Sequence, residues 1–255
     1  NIMIINTGTS SVEVLGDIRE FKTGIDPKNL EFITTLLSSN LYSNPEQSFL
    51  REIVCNAWDS HVEAGNTETP VLIKINNNEV TIRDFGTGLS PERFKEVYCN
   101  IGSSTKRETN AYHGCFGLGH LSPLAVSKVC YINSYYNGVV RLYIMTKDGN
   151  NITTNLMSEM PTTENNGIDV TVKNVDRSAY EKAFKNLAFF PNVYIDGIYS
   201  DFNKIKVKRY KNFTCASKPF EDKLLLGNVL YPLNINILPV EYIDFYKISP
   251  KPPPR

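Results

Sequence analysis

Two glycine-containing segments have residue types that could bind a flat ligand with attached phosphates. Asp84-Phe85-Gly86-Thr87-Gly88 directly follows a predicted strand, and a carboxylate beside two glycines suits a place where backbone must approach a flat group. Further along, Gly114-Cys115-Phe116-Gly117-Leu118-Gly119 puts three glycines where a loop should enter a helix, and the unshielded N–H groups of such a loop can hold phosphate. Each segment alone is also typical of an ordinary turn or hinge.

A polar stripe on one predicted helix is the third feature that could take part in chemistry. Glu52, Asn56 and Asp59 occupy positions i, i+4 and i+7, so their side chains should stack along one face of the helix. Taken alone, the stripe fits a solvated helix face better than a functional site. It gains meaning because the two glycine segments follow it in a set order.

The helix with this stripe is the best defined element of the sequence. Asn44-Pro45 marks its start, Gln47 could complete a capping box, and an apolar face extends until Gly65. A hairpin of two strands, 71–75 and 80–82, should follow and lead directly into Asp84. Two more helix starts have a proline at the first helical position, at Asp26-Pro27 and at Ser90-Pro91.

The second half of the sequence is dominated by predicted strands. After a long loop over 99–119 and a helix from about Gly119 to Val126, strands are expected at 129–136, 139–146, 152–156 and 168–172. Because helices precede a consecutive antiparallel set, the order predicts an α+β fold with helices on one face of the sheet. A domain boundary is expected near residue 175. Beyond it lie an amphipathic stretch at 179–189, β-rich segments at 205–210 and 224–233, and a proline-rich tail.

Composition excludes several classes of function. The chain has 255 residues with 27 basic and 27 acidic side chains, which argues against a protein that coats nucleic acid or acidic lipid. At 41% hydrophobic and 21% charged residues it should fold into a globular structure, and no apolar run is long enough to span a bilayer. Five widely spaced cysteines without a C-x-x-C pair predict free thiols in a reducing cytoplasm, and the three histidines have no metal-binding spacing.

The three features in this order resemble the GHKL, or Bergerat, ATP-binding fold of gyrase B subunits, MutL, heat-shock chaperones and sensor histidine kinases. The resemblance covers about residues 26–175 and implies a two-layer sandwich with a mixed, mostly antiparallel sheet, followed by a smaller β-rich portion at 176–255 similar to a transducer domain. Within the GHKL group, the sequence most resembles the phage rapid-lysis-inhibition A proteins. The segments that resemble this family are 49–52, 83–86, 102–106, 114–119, 122–123 and 226–233.

The resemblance implies a role for each residue of the three features. Glu52 matches the general base that polarises the attacking water, Asn56 matches the Mg²⁺ ligand, and Asp59 matches a supporting polar position near the adenine. Asp84 matches the carboxylate that accepts a hydrogen bond from the adenine 6-amino group, with Gly86 and Gly88 giving the base room. The implied phosphate lid and its neighbours are Ser103, Ser104, Lys106, Gly114, Gly117, Leu118, Gly119 and His120.

Two departures from the GHKL pattern bear on activity. Members of the gyrase and chaperone branches have Gly-Thr on the late strand, where the Thr hydroxyl helps to hold the adenine-binding Asp, but here Ile168 follows Gly167. The hydroxyl must therefore come from elsewhere or be missing. In addition, no lysine after Lys182 can be matched to the one that reaches the γ-phosphate in gyrase-type hydrolysis, so binding of ATP is better supported than its turnover.

We therefore expect a conformational switch that binds ATP with Mg²⁺ and hydrolyses it slowly. The resemblance also implies a homodimer formed on ATP binding, a phage or host protein partner, control of host lysis or prophage exclusion, and at most a peripheral association with the inner membrane. The alternative is a non-catalytic protein-interaction module that retains the fold. Histidine kinase activity and DNA strand passage are disfavoured because the sequence shows no phospho-acceptor hairpin and no recognisable nucleophile domain.

Overall fold

The structure is a computed structural model of the 255-residue chain. It describes residues 19–22, 44–76, 78–99, 119–149, 151–188, 190, 192–195, 207–209, 214–216, 223–226 and 229–232. The helices are α1 (Pro45–Glu63), α2 (Pro91–Tyr98), α3 (Pro123–Val126) and α4 (Arg177–Phe184), with 3₁₀ turns at Gly119–Leu121 and Lys185–Leu187.

Most of the described strands form one sheet. They are β1 (Arg19–Lys22), β2 (Val71–Ile75), β3 (Glu79–Arg83), β4 (Val129–Tyr136), β5 (Val139–Asp148), β6 (Asn151–Pro161), β7 (Gly167–Lys173) and β8 (Val193–Ile195). Their order across the sheet is β1-β6-β5-β4-β7-β3-β2-β8, and all neighbours are antiparallel except β2 and β8, which are parallel. The predicted α+β fold with a mixed, mostly antiparallel sheet is confirmed.

Four short strands lie in the β-rich region predicted after residue 200. They are β9 (Val207–Arg209), β10 (Thr214–Ala216), β11 (Lys223–Leu226) and β12 (Val229–Pro232), and they form two antiparallel pairs, β9 with β10 and β11 with β12. The main sheet itself continues past the boundary predicted near residue 175, because β8 pairs with β2. The division of the chain into two domains stays a prediction.

The core lies between the helices and one face of the sheet. Alternation along the strands directs every second side chain into it, as in β3, where Val80 and Ile82 are buried and Glu79 and Arg83 lie on the other face. From the helix layer, α1 contributes Phe49, whose ring meets that of Tyr180 of α4 edge to face at 6.1 Å. This contact packs α1 against α4 within the helix layer.

Helix starts differ in one detail from the prediction. Ser90 caps α2 as expected, since its hydroxyl accepts a hydrogen bond from the N–H of Arg93 at 3.2 Å. Asn44 is the N-cap residue of α1 and Pro45 follows it, but the Asn44 side chain makes no capping hydrogen bond. The capping box predicted with Gln47 is therefore wrong, and packing of the apolar face stabilises α1 instead.

The helix predicted from Gly119 to Val126 is divided into two pieces. A 3₁₀ turn over Gly119–Leu121 precedes α3 (Pro123–Val126), because Pro123 has no N–H to donate into a continuous helix. The predicted strand at 152–156 is longer than expected, and β6 pairs with β5 along its whole length with an irregularity at Leu142/Tyr143. The helix predicted from Asp26-Pro27 and the long loop at 100–118 lie outside the described residues.

Candidate functional site

Asp84 lies at the end of β3 and is held from both sides by backbone groups. The N–H of Gly86 donates to Asp84 Oδ1 at 2.8 Å, and the N–H of Ile168, from β7, donates to Oδ2 at 3.2 Å. The N–H of Asp84 in turn donates to the carbonyl oxygen of Ile168 at 2.9 Å. The carboxylate is therefore fixed in one orientation at the point where β3 leaves the sheet.

Burial gives the Asp84 carboxyl an unusually high pKa for an acidic side chain. Asp84 is 6% exposed, and loss of solvent raises its pKa to about 7 despite the opposing effects of the Gly86 N–H, the Arg83 charge, the Ile168 N–H and the Ser60 hydroxyl. A ligand that donates a hydrogen bond to the ionised form lowers this pKa further. The site is therefore suited to a polar N–H donor that arrives in an otherwise apolar environment.

A serine hydroxyl of α1 lies at the loop after β3. The Ser60 Oγ accepts a hydrogen bond from the N–H of Thr87 at 3.1 Å, and the same hydroxyl lowers the pKa of the Asp84 carboxyl. Ile168 occupies the position at which the GHKL pattern has Thr, and only its backbone reaches Asp84. Sequence reasoning missed Ser60 because the contact joins residues 24 positions apart in two different elements.

The glycines around Asp84 permit close approaches of backbone. A Cβ on Gly86 would collide with Ser60 Oγ and lie 2.6 Å from the Ser60 carbonyl carbon. Gly88 has a φ of +65°, and a Cβ there would collide with the carbonyl oxygen of Tyr135. Both glycines are therefore needed to pack the loop after β3 against α1 and β4, and the predicted role in giving an adenine base room remains untested.

His61 of α1 holds the same loop by a hydrogen bond. It is fully buried, and its Nε2 accepts a hydrogen bond from the N–H of Phe85 at 2.7 Å, while the Asn66 side chain donates to the Phe85 carbonyl oxygen at 2.8 Å. Burial lowers the pKa of His61, in keeping with a neutral ring whose Nε2 is an acceptor. His61 is a residue of this site that the sequence analysis did not select.

Arg83 connects the loop to the start of β7. Its guanidinium donates to the carbonyl oxygens of Asp84 at 2.6 Å and Asn165 at 2.7 Å. The same group lies 4.0 Å from the ring centroid of Tyr135 and 4.7 Å from that of Phe85. The Asp84 backbone is thus held by its neighbour as well as by β7.

Glu52 and Asn56 lie together beside Gly119, as the three predicted features require if they form one site. A Cβ on Gly119 would lie 2.8 Å from Glu52 Oε2 and 3.6 Å from Asn56 Nδ2. Glu52 Oε1 accepts from Arg51 Nη2 at 2.8 Å and from Nε at 3.0 Å, so one carboxylate oxygen is held and the other faces Gly119. The Glu52 carboxylate oxygen beside this glycine is a ligand type that Mg²⁺ prefers, and Asn56 faces the same point with its amide nitrogen.

The third member of the stripe differs from its neighbours. Asp59 is buried, with 4% of its surface exposed, whereas Asn56 is exposed. The stripe thus runs from the helix surface into the protein, and a simple solvated face does not describe it. In the part of the chain that the structure describes, no group of three or more His, Cys, Asp or Glu side chains could hold a metal ion.

His120 follows Gly119 into the protein interior. The ring is 6% exposed and meets the Tyr98 ring edge to face at 5.2 Å, and burial lowers its pKa to about 4. A neutral His120 could contact phosphate only as a hydrogen-bond donor. The other predicted lid residues, Ser103, Ser104, Lys106, Gly114, Gly117 and Leu118, lie outside the described residues.

Two further sequence predictions can be compared with the described part of the chain. Cys55, Cys99 and Cys130 are free and buried, in agreement with the expectation of packed thiols. Among the described helices, none combines the length and the apolar character required to cross a bilayer.

Comparisons with known proteins identify the family of the chain. Residues 42–181, more than half of the chain, match the family described as histidine kinase-, DNA gyrase B- and HSP90-like ATPases. The chain belongs to this GHKL ATPase family. The matched residues include α1, Asp84, Gly119 and β7, the elements that surround the site.

Curated relatives are similar to the chain over the same part. The chaperone protein HtpG of Rickettsia canadensis (strain McKiel) is 28% identical over 142 residues, covering 46% of this chain and 23% of the chaperone. A putative type II restriction enzyme, HgiDII of Herpetosiphon aurantiacus, is 32% identical over 118 residues, covering 44% of this chain and 18% of that enzyme. The chain spans less than a quarter of the length of these relatives.

Proposed function

We propose that the chain binds ATP with its adenine on Asp84 and acts as a conformational switch. The observation that supports this most is the set of hydrogen-bond donors around the Asp84 carboxylate. A carboxylate has about four acceptor positions. Among the described residues, backbone donors reach it from Gly86 and Ile168 and the Ser60 hydroxyl lies nearby, which leaves room for at least one more.

That remaining position favours adenine over guanine. Adenine presents an exocyclic amino group that can donate to a carboxylate, whereas guanine presents an oxygen at the same place, and two acceptors facing each other in a buried site are costly. The fixed orientation of Asp84 adds to the preference because the backbone donors prevent the carboxylate from turning away.

Mg²⁺ fits the polar group formed by Glu52, Asn56 and Gly119. Asn56 would hold the ion through its amide oxygen, and the small Gly119 leaves the space beside it open. When bound, Mg²⁺ neutralises part of the charge on the nucleotide phosphates. Arg51 keeps the Glu52 carboxylate oriented, which suits it to accept a proton from a water molecule beside the terminal phosphate.

Binding is tested by thermal unfolding with ATP, ADP or GTP and Mg²⁺. At a hundredfold excess over Kd, a ligand specific for the folded state should add about 2.7 kcal/mol of stability. We expect a shift with adenine nucleotides only, and its loss in Asp84→Asn. Equal shifts with ATP and GTP would contradict the proposed recognition of adenine.

Turnover is tested separately with Glu52→Ala. If Glu52 is the general base, this variant should bind ATP as the unchanged protein does but release no phosphate. A phosphate release rate that is the same in both proteins would favour the non-catalytic interaction module. An ATP-dependent change from monomer to dimer in light scattering would support the switch.

We further propose a role in controlling host lysis like that of the phage rapid-lysis-inhibition A proteins. The segments 49–52, 83–86, 102–106 and 226–233, which resemble that family, support this assignment. The test is to express the chain, unchanged or as Asp84→Asn, in cells infected with a phage that lacks its own lysis-inhibition protein. Restored lysis timing with the unchanged chain alone is expected, and no effect of either chain would contradict the role.

A further inference from the structure

We propose that Ser60 is the positioning residue for the adenine-binding carboxylate, supplying from helix α1 the hydroxyl that strand β7 does not provide. This inference rests on the proposed binding of ATP. The Ser60 Oγ accepts from the Thr87 N–H at 3.1 Å and lies directly against Gly86, and the same hydroxyl lowers the pKa of the neighbouring Asp84 carboxyl.

The hydroxyl can satisfy both contacts at once. A serine hydroxyl has one proton to donate and two lone pairs that accept. A lone pair of Ser60 receives the Thr87 N–H, which leaves the hydroxyl proton for the ionised Asp84 carboxylate, an acceptor. The hydroxyl therefore connects the carboxylate to the backbone of the loop that lies beside it.

The packing around Ser60 shows why this position is sensitive. A Cβ on Gly86 would collide with Ser60 Oγ, so the loop lies directly on the hydroxyl. Burial raises the pKa of Asp84, and the Ser60 hydroxyl and the Gly86 and Ile168 N–H groups all lower it. Without Ser60, a larger fraction of Asp84 would be protonated at neutral pH.

Few other groups near Asp84 change charge in the same pH range. Arg83 from β3 acts on Asp84 through its charge, and burial raises the pKa of Tyr98 of α2, so that its phenol stays neutral. His61 of α1, next to Ser60 in sequence, has its pKa lowered by burial and is neutral above about pH 6.5. Between pH 6.5 and 8, Asp84 is the group among these whose protonation changes.

The test combines ATP affinity with the Asp84 pKa in the full 255-residue chain. In Ser60→Ala we expect Kd for ATP to rise about tenfold at pH 7. The pKa of the Asp84 carboxyl, measured by carbon NMR without nucleotide, should rise, and the pH midpoint of ATP binding should move upward with it. A merely structural role would not move either pH-dependent value.

The chain offers a matched control for the loss of a serine hydroxyl bonded to a carboxylate. Ser178 Oγ donates to Asp176 Oδ1 at 2.9 Å on the exposed start of α4, and Ser178→Ala should leave ATP affinity unchanged. Should Ser60→Ala not fold, Ser60→Cys puts a larger, weaker donor at the same place and should still weaken ATP binding.

The possible results separate the two proposals. If the unchanged protein binds ATP and neither Ser60 variant alters Kd or the Asp84 pKa, the role of Ser60 is wrong and the proposed function stands. If the unchanged protein does not bind adenine nucleotide at all, the proposed function is wrong and the positioning role is overturned with it.

Discussion

His61 Nε2 accepts a hydrogen bond from the backbone N–H of Phe85 at 2.7 Å, and this contact joins helix α1 to the residue that follows Asp84. Because His61 is fully buried, no water can replace it as an acceptor. The orientation of the Asp84 carboxylate, the proposed adenine acceptor, thus depends on a histidine bonded to the neighbouring residue Phe85.

Replacing His61 should destabilise the protein and weaken ATP binding together. In His61→Phe the ring volume is kept but the Phe85 N–H loses its acceptor, which should cost about 1–3 kcal/mol in the free energy of unfolding by denaturant. Asn66→Ala removes the partly buried contact to the Phe85 carbonyl and should cost less, about 1 kcal/mol. A loss in His61→Phe no larger than in Asn66→Ala would contradict the anchoring role.

The stability of the protein should depend on the protonation of Asp84. Burial raises its pKa to about 7, so between pH 4 and 7 the folded chain keeps a proton that the unfolded chain has released. This contribution to stability is full below about pH 4 and is lost as pH rises through 7. His120 acts oppositely, because burial lowers its pKa to about 4 and its contribution is lost as pH falls from 6.5 toward 4.

Asp84→Asn removes the contribution of Asp84 to the pH dependence of stability and leaves that of His120. The cost of the substitution in unfolding free energy should therefore be largest near pH 4.5 and should fall by about 1.4 kcal/mol per pH unit toward pH 6.5. Urea unfolding of both proteins at these two pH values measures it, and the unchanged protein supplies the control for all other titrating groups. A cost that is the same at both pH values would show that the pKa of Asp84 is not raised.

Gly88 should tolerate alanine far less well than Gly65, although both have a positive φ. Gly65 has a φ of +67° and open space where an added methyl group would lie, so Gly65→Ala should cost about 1 kcal/mol from backbone strain alone. At Gly88 the methyl group would also collide with the Tyr135 carbonyl oxygen, and Gly88→Ala should cost at least about 3 kcal/mol. Thermal unfolding compares the two, and equal losses would contradict the close packing of the loop on β4.

Gly119→Ala should affect Mg²⁺-dependent binding more than stability. The methyl group would lie 2.8 Å from Glu52 Oε2, the end of a side chain that can move, so the fold should lose at most about 1 kcal/mol. Displacing Glu52 and crowding Asn56 should weaken ATP binding with Mg²⁺ while leaving binding in a chelator nearly unchanged. Titration calorimetry under both conditions measures this, and equal weakening would place the effect on the nucleotide itself.

Local sequence signals predicted the helices and strands well, but they predicted less well which strands lie next to one another in the sheet. The hairpin of β2 and β3, the Ser90 cap of α2, and β4 and β5 on either side of Asn137-Gly138 all follow from residues close in sequence. The insertion of β7 between β4 and β3, and the parallel pairing of β8 with β2, join distant segments. Turn chemistry and periodicity contain no information on such pairings.

A signal for His61 did exist in the sequence. Leu50, Val54, Ala57 and His61 follow helical spacing on one face of α1, and all four are buried. A titratable side chain on an apolar stripe needs a hydrogen-bond partner in the interior, which is a reason to select it. The partner itself, a backbone N–H beyond β3, could not be inferred from the spacing.

The sequence by itself determined the helix of Glu52 and Asn56, the strand that ends at Asp84, and the α+β class, because caps, turns and hydrophobic periodicity act over a few residues. The tertiary structure alone decided that Ser60 and the Ile168 N–H meet at Asp84, and that Gly119 lies beside Glu52. These contacts depend on how α1 packs across the sheet and on the order of its strands. Long-range packing, rather than residue type, therefore selected which polar groups form the site.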